Sequence, residues 1–158
     1  MLLFKKILCP TDFSEPSYKA LKAADDLAKE FKSQLIVIHV LSPVQVFPAS
    51  PGFAPAQPVS NTYLPEDIAG SMEKHATESL EMIIREKVSP EVKSKTVLLH
   101  GIPAEEIANY AEESNVSTII MGTHGFTGWR HLLLGSVTEK VVRLSLCPVI
   151  TIPAHEKK

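Results

Sequence analysis

The chain of 158 residues lacks several features that mark specialised protein classes. Its two cysteines, Cys9 and Cys147, lie far apart in apolar runs, at neither a zinc nor a redox spacing. We therefore expect reduced, buried thiols. The net charge of −2 comes without a basic patch, which argues against binding to nucleic acid.

Long apolar runs and targeting signals are also missing. The segment from Met1 to Leu8 has two lysines but neither the apolar core nor the cleavage site of a signal peptide. No apolar run is long enough to cross a bilayer, so we expect no membrane partner and a cytoplasmic location. The length, with 44% hydrophobic and 22% charged residues, predicts one soluble globular domain over residues 1–158.

Glycine is scarce, and four of the 7 glycines fall in one stretch. An apolar run over residues 116–121 leads into it, and an amphipathic run over residues 137–146 follows it. Such a strand, glycine-rich loop and helix can bind an anion through loop amides and the positive helix N-terminus. Alternatively, the glycines serve only to let the chain turn, and the loop binds no anion. The spacing G-x2-G-x9-G-[ST] is formed by Gly122, Gly125, Gly135 and Ser136.

Motifs for efficient chemistry are absent around these glycines. The spacing matches neither the dinucleotide fingerprint G-x-G-x-x-G nor the phosphate-binding G-x4-G-K-[ST], and no lysine follows the last glycine. No nucleophile–base pair is evident, and His124 is only a weak candidate for a general base. Arg130 lies inside the loop and either supplies positive charge to phosphates or faces solvent. The pattern favours binding of phosphates over their transfer.

Hydrophobic periodicity predicts strands that alternate with helices along the whole chain. Strands are predicted over residues 4–10, 34–41, 96–99, 116–121 and 147–152, and helices from the N-cap Ser14 to Phe31, over 66–88, from Pro103 to Asn115, and over 137–146. Apolar strands without alternation indicate burial on both faces. We expect a three-layer α/β/α fold with a parallel sheet, whose ligands bind at the carboxyl ends of the strands.

The residues at those strand ends are the further candidates. Asp12 follows the first strand, where a carboxylate can accept hydrogen bonds from ribose hydroxyls or help to hold a divalent metal; its alternative role is helix capping, which Ser14 could provide. His39, in the second strand, is interpreted as a core or strand-end histidine more readily than as a catalytic one. The paired glutamates at 105–106 and 112–113 are predicted to be a solvated helix face.

Residues 42–65 differ from the rest, because they carry half of the 12 prolines. We expect a long irregular loop. Two interpretations remain open: an inert insertion, or a lid and partner-contact segment that uses Phe47, Phe53 and Tyr63.

These motifs together resemble the universal stress protein family. The glycine pattern matches the ATP-binding signature of that family, and so do the segments IIMGTHG at 119–125, GSVTEKV at 135–141, KILCPTDFS at 6–14 and CPVI at 147–150. The likeness covers nearly the whole chain except the proline-rich loop. It implies a Rossmann-like fold with a five-stranded parallel sheet of order 3-2-1-4-5, and a homodimer formed largely through the last strand.

The resemblance also implies ATP, ADP or AMP at the strand ends, often with Mg²⁺ or Mn²⁺. Asp12 would hold the ribose, backbone near Pro10, Thr11 and Val40 would meet adenine, and Gly122 would line the ribose side. Phosphates would lie against Gly125 and the start of the last helix. The full set of candidate nucleotide-binding residues is Pro10, Thr11, Asp12, Val40, Met121, Gly122, His124, Gly125, Arg130, Gly135, Ser136, Val137 and Thr138.

Three functions follow as hypotheses. The first is a nucleotide-binding regulator of stress responses that changes its dimer or partner contacts when ATP is bound. The second is a slow ATPase or autokinase with Ser136, Thr138 or Thr123 as phosphate acceptors. The third is a nucleotide-free dimeric adaptor that acts through residues 42–65. The regulatory partner is not identified by the sequence.

Overall fold

The computed structural model describes residues 4–43, 66–123 and 134–154. Strands and helices alternate through these residues, as the sequence predicts. In chain order they are β1 (Lys6–Pro10), α1 (Glu15–Phe31), β2 (Gln34–Leu41), α2 (Glu66–Lys87), β3 (Lys93–His100), α3 (Pro103–Glu113), β4 (Thr118–Gly122), α4 (Ser136–Leu144) and β5 (Val149–Ile152).

The strands form one parallel sheet of order β3-β2-β1-β4-β5, which confirms the predicted topology. β1 pairs on one side with β2, where Lys6 lies opposite Gln34, and on the other with β4, where Leu8 lies opposite Ile119. The chain moves outward through β2 and β3, then returns to β4 on the other side of β1. The strand order therefore reverses between β1 and β4.

The helices cover both faces of the sheet, because consecutive side chains of a strand point to opposite faces. In β1, Ile7 and Cys9 are buried on one face and Leu8 on the other. The first face packs against α1 and α2 through Leu21, Ala24, Ala28, Leu80 and Ile83. The second face packs against α3 and α4 through Ala104, Ile107, Ala111 and Val141. This is the expected three-layer α/β/α arrangement.

The start of α1 is well specified by local chemistry. Ser14 is the N-cap, with an extended backbone and a hydroxyl that accepts a hydrogen bond from the Ser17 N–H at 3.4 Å. Glu15 places an acid in the first turn, and Pro16 suits that position because its missing N–H has no helical partner there. The predicted helix start is confirmed.

β3 is longer than predicted, because it begins at Lys93 rather than at residue 96 and ends at His100. It is an edge strand of the sheet, and its side chains alternate between exposed Lys93 and Lys95 and partly buried neighbours. The first residues of this strand are polar and partly face solvent, so their composition resembles that of a loop. The predicted strand therefore began three residues too late.

The junction between α4 and β5 also differs from the prediction. α4 ends at Leu144, and β5 begins at Val149 rather than at residue 147. The Ser145 hydroxyl accepts a hydrogen bond from the Cys147 N–H at 3.2 Å and donates one to the Cys147 carbonyl at 2.9 Å, which forms a local turn. This turn takes the place of the predicted last helical turn and first strand residues.

Smaller differences occur at other boundaries. β1 begins at Lys6 rather than at residue 4, and β4 runs from Thr118 to Gly122 rather than over 116–121. Both cysteines are free thiols, with Cys9 buried and Cys147 half-buried. None of the helices in the described ranges is both long enough and apolar enough to cross a membrane.

Candidate functional site

The first part of the site is the turn between β1 and α1. Thr11 is buried and extends the sheet, because its N–H donates to the Ile38 carbonyl at 2.8 Å. Its hydroxyl accepts a hydrogen bond from the Phe13 N–H at 3.0 Å and lies 3.0 Å from the Ser17 hydroxyl. Thr11 therefore holds both the turn and the first helical turn.

Phe13 has a left-handed backbone conformation, with φ of 64°. This conformation costs an aromatic residue about 1–2 kcal/mol, so the surrounding contacts must hold it. Its ring lies against the imidazole of His39, with centroids 4.4 Å apart. A strained residue directly after Asp12 indicates that the direction of this turn matters.

Asp12 takes part in capping, the alternative role considered from the sequence. Its Oδ1 accepts hydrogen bonds from the Ser14 N–H at 3.0 Å and from the Ser14 hydroxyl. An ionised carboxylate has about four lone-pair sites on its two oxygens. Capping and ligand binding are therefore compatible in Asp12.

The turn is also locally acidic. Burial raises the pKa of the Tyr18 phenol, and the nearby carboxylates of Glu15 and Asp12 raise it further. Carboxylates repel phosphate and accept hydrogen bonds from neutral hydroxyl groups. The chemistry of this turn fits the ribose end of a nucleotide better than the phosphate end.

The second part of the site is the connection from β4 to α4. The buried Thr138 hydroxyl donates to the Gly122 carbonyl at 2.9 Å. The Thr123 N–H donates to the Ile152 carbonyl at 2.9 Å, and the Gly135 N–H donates to the Thr123 carbonyl at 2.6 Å. These bonds hold the start of α4 against the carboxyl end of β4.

The N-cap of α4 is Gly135, and Ser136 is the first helical residue. This cap has no side-chain hydrogen bond. The first intrahelical bond runs from the Glu139 N–H to the Gly135 carbonyl at 2.9 Å, so helix geometry supplies no acceptor for the N–H groups of Ser136 and Val137. Both residues are exposed, and their amides suit an anion.

The two parts lie at adjacent strand ends. Ile7 is opposite Thr118 and Leu8 is opposite Ile119, so β1 and β4 run side by side before the Asp12 turn and the connection to α4. Because the strand order reverses between β1 and β4, their carboxyl ends flank the crevice in which open α/β sheets bind ligands. The acidic turn and the start of α4 therefore face a common edge.

The other predicted residues occupy different environments. Pro10 is buried at the end of β1, and the Met121 side chain belongs to the core against α3 and α4. Val40 is half-buried near the end of β2. Met121 would therefore contact a ligand through its backbone.

Three predicted site residues, His124, Gly125 and Arg130, lie outside the described residues, as do residues 44–65 of the proline-rich loop. His39 is a structural histidine: its Nδ1 lies 2.8 Å from the Thr11 carbonyl oxygen. His75 is exposed, and the paired glutamates lie on the outer side of α3 with Glu106 half-buried.

The sequence pattern assigned no role to Phe13 or Ser17, and it favoured His39 as a core or strand-end histidine. The adjacency of Phe13 to Asp12 and of His39 to Val40 is the signal that could have found them, because side chains that support a site have no motif. Within residues 4–43, 66–123 and 134–154, no three histidine, cysteine, aspartate or glutamate side chains are grouped to hold a metal ion.

Known proteins resemble this chain over nearly its whole length. The model of the family described as "Universal stress protein family" matches residues 3–153. The universal stress protein MJ0531 of Methanocaldococcus jannaschii is 35% identical over 158 residues, which cover 99% of this chain and 86% of that protein. The universal stress protein YxiE of Bacillus subtilis is 35% identical over 154 residues, which cover 95% of this chain and 99% of that protein.

Solved structures show the same fold. Protein MJ0577 superposes with a TM-score of 0.74 at 31% identity, over 99% of this chain and 100% of that one. Two universal stress proteins at 18% identity, one in complex with cAMP and one from Archaeoglobus fulgidus in complex with dAMP, superpose with TM-scores of 0.63 and 0.60 and support the fold alone. They cover 96% of this chain and 98% and 99% of those chains. The chain described here belongs to the universal stress protein family.

Proposed function

We propose that this chain binds ATP, or the related ADP or AMP, between the carboxyl ends of β1 and β4, and that it is a single-domain cytoplasmic regulator of stress responses. The observation that carries this proposal is the position of α4. Its N-terminal amides are held at the end of β4, which is the neighbour of β1 where the strand order reverses.

Each part of the nucleotide has a suitable partner in this proposal. The Asp12 carboxylate accepts hydrogen bonds from ribose hydroxyls, and Pro10, Thr11 and Val40 border the adenine. The Thr11 N–H donates to the Ile38 carbonyl and the Thr11 carbonyl oxygen lies 2.8 Å from His39 Nδ1, so both backbone polar groups of Thr11 already have partners and Thr11 borders the base by packing. The amides of Ser136 and Val137 bind phosphate oxygens.

Mg²⁺ or Mn²⁺ fits this donor set when phosphates are bound. Mg²⁺ in nucleotide sites commonly uses one or two protein oxygens together with phosphates and water. Asp12 and the Ser136 hydroxyl are protein oxygens on the two sides of the crevice. When bound, the ion neutralises phosphate charge, while Asp12 and the α4 amides orient the nucleotide.

The alternative of a slow ATPase or autokinase is less well supported. No lysine follows Gly135, and the described strand ends offer no histidine–nucleophile pair. Of the three acceptor hydroxyls considered, that of Thr138 is buried and donates to Gly122, whereas Ser136 is exposed. Incubation with ATP followed by mass spectrometry and ADP measurement tests this alternative, which requires phosphate on Ser136 or ADP above background.

Thermal unfolding with and without ATP and magnesium tests the main proposal. Nucleotide at 100 times its Kd stabilises the folded state by about 2.7 kcal/mol, which raises the Tm by roughly 5–10 °C. Gly135→Val and Asp12→Ala should abolish this rise, because they obstruct the helix start and remove the ribose acceptor. Gly70→Val is the matched glycine control, because Gly70 lies in α2 with open space around it.

The nucleotide content of the purified protein must be measured first, by ultraviolet absorbance and chromatography. The proposal is contradicted if the wild-type protein has a demonstrably empty site and its Tm does not rise at millimolar ATP. The nucleotide-free adaptor, acting through residues 42–65 on an unknown partner, would then be favoured.

We also propose a homodimer through the last strand. β5 is an edge strand with all four residues half-buried, and the adjacent α4 end exposes Val142, Leu144 and Leu146, the last with 80% of its surface accessible. Unprotected edges and exposed apolar groups favour association with another copy. Leu146→Asp should convert the dimer to monomer in light scattering, and Ile68→Asp on α2 should leave it unchanged. A monomeric wild type contradicts the dimer.

A further inference from the structure

His39, near the end of β2, contacts the β1–α1 turn on both sides of Asp12. Its Nδ1 lies 2.8 Å from the carbonyl oxygen of Thr11, the residue before Asp12. Its ring lies 4.4 Å from the ring of Phe13, the residue after Asp12, with the ring planes at 39°. One side chain from the neighbouring strand therefore holds both flanks of the candidate ribose ligand.

The hydrogen bond defines the chemical form of the imidazole. A carbonyl oxygen can only accept, so Nδ1 carries the hydrogen and donates it to Thr11. An asparagine at position 39 carries an amide N–H at the place of Nδ1, whereas a glutamine carries it one bond further out. The asparagine variant can therefore keep the hydrogen bond to Thr11, whereas the glutamine variant is equally polar but cannot place its N–H there.

The turn needs such support because of its backbone. Phe13 has φ of 64°, which is disfavoured for a bulky side chain. Its N–H donates to the Thr11 hydroxyl at 3.0 Å, so Thr11 and Phe13 are also bonded to each other. If His39 releases Thr11 and Phe13, the backbone can relax, and the Asp12 carboxylate between them changes direction.

We propose that His39 is a positioning residue for nucleotide binding: it holds Thr11 and Phe13 so that the Asp12 carboxylate is directed at the ribose hydroxyls. The inference rests on the proposed nucleotide site and adds the residue that orients its ribose ligand. His39 itself does not contact the ribose. Its effect on affinity therefore depends on whether the nucleotide has ribose hydroxyls.

The test compares ATP with 2′,3′-dideoxy-ATP by titration calorimetry in magnesium. The wild type should bind ATP about tenfold more tightly than the dideoxy analogue, as expected for a hydrogen bond to a charged group. His39→Leu should remove this preference and leave the affinity for the dideoxy analogue within about twofold of the wild type. His39→Asn should restore most of the preference, and His39→Gln should not.

Equal weakening for both nucleotides in His39→Leu would show a packing role only and overturn the inference. Equal affinities of the asparagine and leucine variants would do the same, because the Thr11 hydrogen bond would then be irrelevant.

A second measurement uses the nucleotide-free protein and separates this inference from the proposed function. Nitrogen NMR of the imidazole should show the Nδ1–H form, and hydrogen exchange should show that His39→Leu loses protection at the Phe13 and Ser14 amides. Unchanged protection overturns the inference even if ATP binds. Suppose instead that the wild type binds neither nucleotide but His39→Leu still loses protection. That result refutes the proposed function and the role of His39 toward ribose, and it shows that His39 only holds the turn.

Discussion

The two edges of the sheet use polar side chains in different ways. At the amino edge, hydrogen bonds join segments that are far apart in the chain. The Lys6 N–H donates to the Ser117 hydroxyl at 2.8 Å, and the Lys6 ammonium donates to the Ser114 carbonyl at 2.5 Å. Asp25 of α1 accepts from the N–H and the hydroxyl of Ser89, after α2, at 2.9 and 2.7 Å.

At the carboxyl edge, polar side chains hold the β1–α1 turn, most of them from within that turn and His39 from the neighbouring strand. Asp12 is bonded to Ser14, and Thr11 to Ser17, within a single strand-to-helix connection. Left-handed positions occur at both edges: Lys32 and Asn115 precede β2 and β4, and Phe13 and Gly101 follow β1 and β3. Phe13 is the aromatic residue among them, and its contacts with Thr11 and His39 hold it beside Asp12. The difference teaches that the hydrogen bonds of the amino edge close the fold, while those of the carboxyl edge hold one turn.

The largest expected effect on stability is at the amino edge. Asp25→Ala removes the charged acceptor of both Ser89 bonds and an ion pair with Lys29 at 3.6 Å, so we expect unfolding free energy to fall by about 2–3 kcal/mol. Urea titration measures it. Asp25→Asn, which keeps an acceptor for the Ser89 N–H, should lose less.

The same variant should bind ATP with wild-type affinity under conditions where it is folded. A changed affinity in Asp25→Ala, or a stability loss below about 0.5 kcal/mol, would break the proposed division between the two edges.

Between the two edges, Cys9 in β1 makes the stability depend on pH through the burial of its thiol alone. Burial raises the pKa of its thiol from 9.0 to about 12. The folded state keeps the proton while the unfolded chain releases it, so this contribution to stability is complete below pH 9 and is lost as pH rises toward 12. By pH 10 the loss should reach about 1.4 kcal/mol.

Urea titrations of the wild type and Cys9→Ala at pH 8 and pH 10 measure this effect. The alanine variant should lose less stability over the interval, whatever its stability at pH 8. Identical pH dependence would mean that the thiol is not protected in the folded state.

At the carboxyl edge, Thr138→Val should have a smaller effect on stability than Asp25→Ala. It preserves shape but removes the donor to the buried Gly122 carbonyl, with an expected loss of about 1 kcal/mol. Unlike Asp25→Ala, it should also weaken ATP binding, because Thr138 holds the start of α4 against β4. Calorimetric titration checks this, and a stability loss with unchanged affinity would contradict the assigned role.

The smallest effect is expected at the surface ion pair of Lys22 and Asp26 in α1, 3.1 Å apart. Hydrogen bonds from Lys22 and Lys29 lower the pKa of Asp26, but the pair is screened by water. Lys22→Ala should shift the Tm by less than about 2 °C and leave ATP affinity unchanged. A larger shift would show that this exposed pair stabilises the fold more than an ion pair screened by water should.

The fold was predictable from sequence to the extent that its signals are local. Ser14, Glu15 and Pro16 mark the start of α1, and the apolar run of β2 indicates burial on both faces. β3 was predicted too short because its first residues lie on an exposed edge strand. There Lys93 and Lys95 alternate with polar residues, so the apolar positions that mark a strand are missing. The α4–β5 junction was misplaced because the turn at Ser145 depends on a single hydroxyl.

The sequence predicts a candidate site only in part. The glycine spacing and Asp12 predict a site at the ends of β1 and β4, but the hydrogen bonds of Asp12 and the N-cap role of Gly135 depend on backbone geometry that composition does not carry. His39 and Phe13 meet across neighbouring strands, so no spacing in the sequence relates them.

By itself the sequence determined the alternation of helices and strands, the covered sheet, and a glycine loop that lies before a helix. These follow from periodicity and turn chemistry, which act over a few residues. Only the tertiary structure paired β1 with β4 and placed His39 against Thr11 and Phe13. The physical reason is that strands pair only where the free energy gained by core packing exceeds the entropy lost in closing the long connections between them. Both quantities depend on the whole chain.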